Sequence, residues 1–247
     1  MAGHSKWANI RFRKASQDSR RGKLFTKLIR EITVAARSGG GDPASNPRLR
    51  AAVDKALAAN MTRDTVDRAT KRGTGELEGV EYEEIRYEGY ATGGTAVLVE
   101  CTTDNRNRTV SEVRHVFAKY GGNLGTDGSV AYLFTKTGIL AFGPGTDEEM
   151  IMEIAVAAGA EDVEIADDGS IEVTTSPPNF EAVSMAFEEA ELQPDLAEVL
   201  QRPSTDCPLT SEDAESVIQL VDALQDLDDV QDVFTNASFP EEMQPAA

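Results

Sequence analysis

The spacing of apolar residues changes near residue 73, and this change constrains the fold more than any other feature of the sequence. Before it, apolar side chains recur every three or four residues, which is the period of an amphipathic helix. Beyond the glycine-rich stretch 73–79, β-rich runs such as 95–101 alternate with further helical segments. We therefore predict an α+β multidomain protein that begins with a helical domain.

Three helices are predicted between residues 23 and 73. The first ends at the glycines 39–41 and Pro43, because proline cannot continue a helix. Asn46 and Thr62 are expected to cap the next two, since their side-chain oxygens can accept hydrogen bonds from free amides of the first turn. On the first helix we predict an apolar face of Phe25, Leu28, Ile29, Ile32 and Ala36, opposite a cationic ridge of Lys23, Lys27, Arg30 and Arg37.

The segments beyond residue 79 suggest one domain interrupted by another. Residues 137–202 show the order β-α-β-β-α-β, with a hairpin signal at Asp167-Asp168-Gly169, which is typical of a ferredoxin-like domain. The flanking segments carry predicted strands at 95–101, 129–135 and 230–236 and helices at 109–120 and 211–224. The predicted domains are a basic helical domain with an N-terminal arm (1–78), a discontinuous α+β domain (79–136 plus 203–238) and an inserted ferredoxin-like domain (137–202).

Basic and acidic residues are segregated along the chain. Residues 1–72 hold 17 Lys and Arg against 6 Asp and Glu, whereas residues 73–247 hold 7 against 37. Such asymmetry indicates a polyanionic partner for the basic part, above all nucleic acid. The alternative is attraction between the two parts within the molecule. We favour binding, because nine cations lie within residues 1–30 beside a single acid, Asp18.

Two clusters of cations are candidate contacts with phosphate. In the arm, Trp7 and Phe12 are interleaved with cations; we expect these two aromatic residues to pack and the cations to meet phosphates. Arginines in the loop 104–109 and at Arg114 form the second cluster, for which ion pairing with nearby acids such as Glu112 and Asp104 is an equal alternative. The predicted nucleic-acid-binding residues are Lys6, Arg11, Arg13, Lys14, Arg20, Arg21, Lys23, Lys27, Arg30, Arg48, Arg50, Arg106, Arg108 and Arg114.

Signals for catalysis, metals and cofactors are weak. Cys101 and Cys207 have no zinc-ligand spacing and are expected to be small buried hydrophobic residues, while His4 and His115 belong to no catalytic motif. The glycine runs lack the residues of a nucleotide-phosphate loop. We therefore expect no catalytic residue, metal, cofactor or small-molecule substrate, no membrane span or secretory signal, and a cytoplasmic location.

Five motifs follow one another along the chain: 2–9 (AGHSKWAN), 40–50 (GGDPASNPRLR), 87–90 (YEGY), 104–109 (DNRNRT) and 121–125 (GGNLG). In this order they resemble the YebC/PmpR family of regulatory proteins and its mitochondrial relative, the translational activator of cytochrome c oxidase subunit I. The resemblance covers nearly the whole chain. The sequence departs from the family at Phe12, where a histidine is common.

The resemblance implies a three-domain, cytoplasmic and non-enzymatic regulator of gene expression. Members of the family are described as DNA-binding transcription factors, which is the function we expect. Others are described as ribosome-associated translation factors that assist the synthesis of proline-rich stretches. In this alternative the same cations meet ribosomal RNA, and Arg106 and Arg108 reach a second RNA surface.

Overall fold

A computed structural model describes residues 21–240 and residue 243, with side chains from Lys23 onward. The predicted site residues Lys6, Arg11, Arg13, Lys14 and Arg20, and the side chain of Arg21, lie outside this part of the chain. Within it, the helices are too short or too polar to span a membrane.

Helices and strands are numbered here in chain order. The helices are α1 (Arg21–Gly39), α2 (Pro47–Ala58), α3 (Arg63–Thr74), α4 (Arg106–Lys119), α5 (Glu148–Ala158), α6 (Phe180–Glu189) and α7 (Ser211–Gln225). The strands are β1 (Glu83–Tyr90), β2 (Ala96–Thr103), β3 (Asn123–Leu124), β4 (Phe134–Phe142), β5 (Asp162–Ile165), β6 (Ile171–Thr175), β7 (Leu196–Pro203), β8 (Cys207–Pro208), β9 (Val230–Thr235) and β10 (Ala237–Ser238). Helices thus precede sheets, as predicted for this α+β chain.

Helices α1, α2 and α3 pack into a helical domain with its own apolar core. The predicted caps are present: Asn46 accepts a hydrogen bond from the amide of Leu49, and Thr62 caps α3. Gly73 lets α3 approach α1, because a Cβ at this position would collide with the carbonyl oxygen of Thr33. The core contains Leu28, Ile32, Ala36, Leu49, Ala52, Val66 and Ala69. Phe25, predicted on the core face, is instead 42% exposed.

The second part of the chain, residues 83–240, is called the body. Its first sheet has the strand order β3-β1-β2-β9 with antiparallel pairing throughout. Helices α4 and α7 supply Phe117 and Leu220 to one core with Val99 and Val233 of the sheet. Because β2 pairs with β9, chain segments separated by more than a hundred residues form this sheet.

The second sheet is formed within the interruption of the first. Its chain order is β4-α5-β5-β6-α6-β7, and its strand order is β5-β6-β4-β7, again antiparallel. Helices α5 and α6 contribute Ile151 and Phe187 to a core with Phe142 and Val173. Gly169 adopts φ 80° in the predicted hairpin turn between β5 and β6.

The predicted strand at 129–135 is wrong in its first part. Residues Ala131–Leu133 form a 3-10 helix, and the strand begins at Phe134. The cause is the buried carboxylate of Glu88, which accepts hydrogen bonds from the amides of Val130 and Ala131 at 2.7 Å and withdraws them from strand pairing. Since β4 continues from Phe134 to Phe142, the domain boundary expected after residue 136 falls inside a strand.

Candidate nucleic-acid interface

The cationic ridge of α1 faces the body at the end of α7. Lys23 donates to the carbonyl of Asp226 and lies 3.6 Å from the Asp228 carboxylate. Lys27 donates to the carbonyl of Gln225 at 3.0 Å. The last carbonyls of a helix lack intrahelical partners and carry the negative end of its dipole, so they attract cations. The ridge that the helical period predicted therefore contacts the body.

Asp229 is the centre of this contact and is only 2% exposed. One of its oxygens accepts from Arg30 of α1 at 2.8 Å. The other oxygen accepts from Arg108 and Thr109 at 2.7 Å each and from Thr103 at 3.0 Å. A single buried carboxylate thus joins the helical domain to the start of α4.

The surroundings of Asp229 keep it ionised. Burial raises the pKa of this carboxyl, but hydrogen bonds from Thr109, Arg108 and Thr103 and the charge of Arg30 outweigh burial, so the pKa lies below its ordinary value. The hydrogen bond from Arg108 to Asp229, with a second one to Asp104, raises the pKa of Arg108. Both partners therefore carry full charge at neutral pH.

The motif 104–109 is built into the fold rather than displayed as a free loop. Asn105 caps α4 by accepting from the amide of Arg108 at 3.1 Å. Arg108 pairs with Asp104 at 2.7 Å, as the alternative interpretation predicted, and with Asp229. Arg106 and Arg114 are exposed, and neither side chain forms an ion pair with another residue between 23 and 240. The cluster therefore divides into one structural arginine and two exposed ones.

Cations of α2 reach the body as well. Arg48 bonds to Glu31 of α1 at 2.8 Å and to Glu84 of β1 at 2.7 Å, and these two carboxylates raise its pKa although burial lowers it. The further contacts of this helix are Arg50 with Glu181 of α6, and Lys55 with Glu198 of β7 at 2.7 Å. Two predicted site residues on this helix thus lie against acids of the body.

Several of the predicted site residues that the structure describes have partners within the chain. Their role toward nucleic acid stays a prediction. Those with intramolecular partners are Lys23, Lys27, Arg30, Arg48, Arg50 and Arg108. Attraction between the basic and acidic parts, the alternative given less weight on sequence grounds, is therefore present at Lys23, Arg30, Arg48 and Arg50.

Further exposed cations lie on α3 and were not selected from the sequence. Arg63, Lys71 and Arg72 form no ion pair with any other described residue, whereas Arg68 pairs with Asp64 one turn away. The adjacent Lys71-Arg72 pair in a basic segment was the available signal.

Cysteine and acidic side chains provide no second kind of site in the described residues. Cys101 is buried, and burial raises its pKa to about 12. Cys207, predicted to be buried, is partly exposed. Across residues 21–240, no three His, Cys, Asp or Glu side chains are grouped so that they could hold a metal ion.

Comparison with known proteins identifies the family. Residues 5–76 match the model of the TACO1/YebC protein N-terminal domain, and residues 82–237 match that of the TACO1/YebC second and third domain. The chain belongs to the TACO1/YebC family. The resemblance to YebC proteins found in the sequence is thereby confirmed.

Relatives within the TACO1/YebC family are similar over their full length. A "probable transcriptional regulatory protein" of Thioalkalivibrio sulfidiphilus is 66% identical over 246 residues, covering 100% of this chain and 99% of the relative. One of Nitrosococcus oceani with the same description is 60% identical, covering 98% of each chain. The crystal structure of a conserved hypothetical protein from Aquifex aeolicus matches with a TM-score of 0.80 and 47% identity, over 93% of this chain and 95% of the other.

Proposed function

We propose that this protein is a non-enzymatic regulator of gene expression that binds nucleic acid, specifically a cytoplasmic DNA-binding transcriptional regulator. The observation that carries the proposal is the concentration of 17 of the 24 Lys and Arg within residues 1–72. Neutralising phosphates with such cations supplies most of the affinity for a duplex. The names of the full-length relatives support a role in transcription.

The proposed contacts fall into two groups. The first group is in the arm and includes Arg11, Arg13 and Lys14. The second group consists of the cations that pair with the body, which contact phosphate only when those pairs open. Phosphate contacts carry little sequence information, so any preference for a DNA sequence arises elsewhere, for example from DNA shape.

We also infer that residues 134–203 form an inserted ferredoxin-like domain. Its β-α-β-β-α-β order and its strand order β5-β6-β4-β7 support this assignment. The excess of acids in residues 73–247, 37 against 7 cations, restricts nucleic acid to the basic end of the molecule by repulsion.

The salt dependence of DNA binding tests the proposal. We expect the triple variant Arg11→Gln, Arg13→Gln and Lys14→Gln to flatten the slope of log affinity against log salt by about 0.9 for each phosphate that the variant no longer neutralises. The control is Arg86→Gln, Lys119→Gln and Lys136→Gln, which removes the same charge from the body. Equal slopes for the two variants, or a wild-type chain that binds no duplex, would contradict the proposal.

A ribosome-associated translation factor that assists proline-rich synthesis is the second candidate. The exposed arginines Arg106 and Arg114 on the body favour it, because they offer a second group of cations outside the basic segment 1–72. Changing both to Ala should reduce co-sedimentation with ribosomes at moderate salt and leave binding to duplex DNA unchanged. Arg108 is unsuitable for this test, since its removal disturbs Asp229.

A further inference from the structure

Ion pairs of one polarity join the helical domain to the body in the part of the chain that the structure describes. In each pair the cation belongs to α1 or α2 and the carboxylate belongs to the body. We call this set the ionic latch. It comprises Lys23–Asp228, Arg30–Asp229, Arg48–Glu84, Arg50–Glu181 and Lys55–Glu198.

The apolar core clusters of the helical domain and of the body are separate in the described residues. The core cluster of the helical domain lies wholly within residues 28–69 and contains no residue of the body. The cluster between the two sheets of the body likewise contains no residue of the helical domain. The ion pairs and hydrogen bonds of the ionic latch therefore join two separate cores, and salt and competing anions weaken these contacts.

Two pairs of the ionic latch are solvent-exposed at both partners. Lys23 and Asp228 are 46% and 71% exposed, and Arg48 and Glu84 are 41% and 51% exposed. Exposed pairs of this kind contribute little stability each. Their separate contributions are small enough for a polyanion to replace them one by one.

The buried pair, Arg30 with Asp229, can also open without leaving an isolated charge. When Arg30 departs, Asp229 keeps its hydrogen bonds from Arg108, Thr109 and Thr103, all of which belong to the body. The usual penalty for an unpaired buried carboxylate is therefore avoided. The guanidinium of Arg30 is then free to bind phosphate, with which it forms hydrogen bonds as readily as with carboxylate.

We propose that the body is an intramolecular competitor of nucleic acid: its carboxylates occupy the cations of α1 and α2, and a phosphate backbone gains these cations by opening the ionic latch. This autoinhibitory contact deepens the proposed function and rests on it. Apparent affinity is reduced by the fraction of molecules that are closed. Carboxylates of the body thus weaken nucleic-acid binding in two ways: they repel phosphate in general, and they hold the ionic latch closed.

Removing latch carboxylates should therefore strengthen binding to a mixed-sequence DNA duplex. The latch variant is Glu84→Gln, Glu181→Gln and Asp228→Asn. The control is Glu153→Gln, Glu188→Gln and Glu189→Gln, three exposed acids of α5 and α6 that form no ion pair within the described chain. Both variants remove three negative charges, so general repulsion falls equally. We expect about tenfold tighter binding by the latch variant than by the control at low salt, and no difference at high salt.

Small-angle X-ray scattering without DNA tests the opening itself. The latch variant should show a larger radius of gyration than the control at low salt, and wild type should reach the same value at high salt. Equal affinities of the two variants overturn the competition, and tighter binding without expansion overturns the opening step. If wild type binds no duplex at any salt, the proposed function and the competition fail together, and the scattering comparison still decides whether the latch opens.

Discussion

The interface between the helical domain and the body differs from the interface between the two sheets of the body. Toward the helical domain it presents the carboxylates of the ionic latch. Between its own two sheets it buries an apolar cluster in which Phe134 of β4 meets Leu98 and Phe234 of the first sheet, with Leu200 packed against them. Apolar contacts hold whatever the salt concentration, whereas exposed ion pairs weaken with it. The difference indicates that the two sheets form a fixed unit and that the helical domain is the detachable part.

The largest expected effect is at Asp229, where the ionic latch meets the interior of the body. Asp229→Asn removes the charge that Arg30 and Arg108 share and should lower the free energy of unfolding by about 3 kcal/mol or more, measured by urea denaturation. Asp228→Asn, one residue away but 71% exposed, is the control and should change it by less than about 0.5 kcal/mol. Equal decreases at the two positions would show that Asp229 is not the junction.

Acid pH supplies an independent check of the same carboxyl. Its pKa is depressed in the folded state, so its contribution is complete above the ordinary pKa of aspartate, about 3.9, and disappears as pH falls through the folded pKa. Wild type and Asp229→Asn should therefore converge in stability as the pH is lowered below about 4. A stability difference that persists unchanged at low pH would exclude the charge as its source.

The apolar interface between the sheets should respond next most strongly. Phe234→Ala removes a ring that is 7% exposed and should cost about 3 kcal/mol of unfolding free energy. Raising the salt concentration should leave this cost unchanged, because no charge is involved. A cost that varied with salt would mean that the two interfaces do not differ as described.

Much of the fold followed from local rules in the sequence. The caps Asn46 and Thr62 and the hairpin at Gly169 depend on a few neighbouring residues, and all are present. The 3-10 helix at Ala131–Leu133 was not predictable in this way, because the carboxylate of Glu88 that causes it lies some 40 residues earlier. Local pattern cannot reveal a buried acid that redirects a distant backbone.

Contacts between residues far apart in the sequence limited the prediction of the candidate site even more strongly. The helical period placed Lys23, Lys27 and Arg30 correctly on one face of α1. What covers that face could not be inferred, since the acceptors lie about 200 positions away and include backbone carbonyls of Gln225 and Asp226, which leave no signature in side-chain sequence. Total charge indicated attraction between the parts, but not which residues meet.

The smallest expected effect is in the exposed part of the ionic latch, at Arg48. This side chain bonds both to Glu31 of its own domain and to Glu84 of the body, so replacing Arg48 alone would remove both interactions. A double-mutant cycle with Arg48→Gln and Glu84→Gln isolates the interaction with the body. We expect a coupling energy of about 0.5 kcal/mol from urea denaturation at low salt, because both partners are solvated.

Salt should reduce the Arg48–Glu84 coupling toward zero, while the cost of Phe234→Ala stays constant. The matched cycle of Arg48→Gln with Glu31→Gln measures attraction within the helical domain, which salt should reduce by screening only. A larger loss of the Glu84 coupling than of the Glu31 coupling at high salt would therefore report separation of the domains. If both couplings fell in parallel, screening would suffice to explain the result and the separation would be refuted.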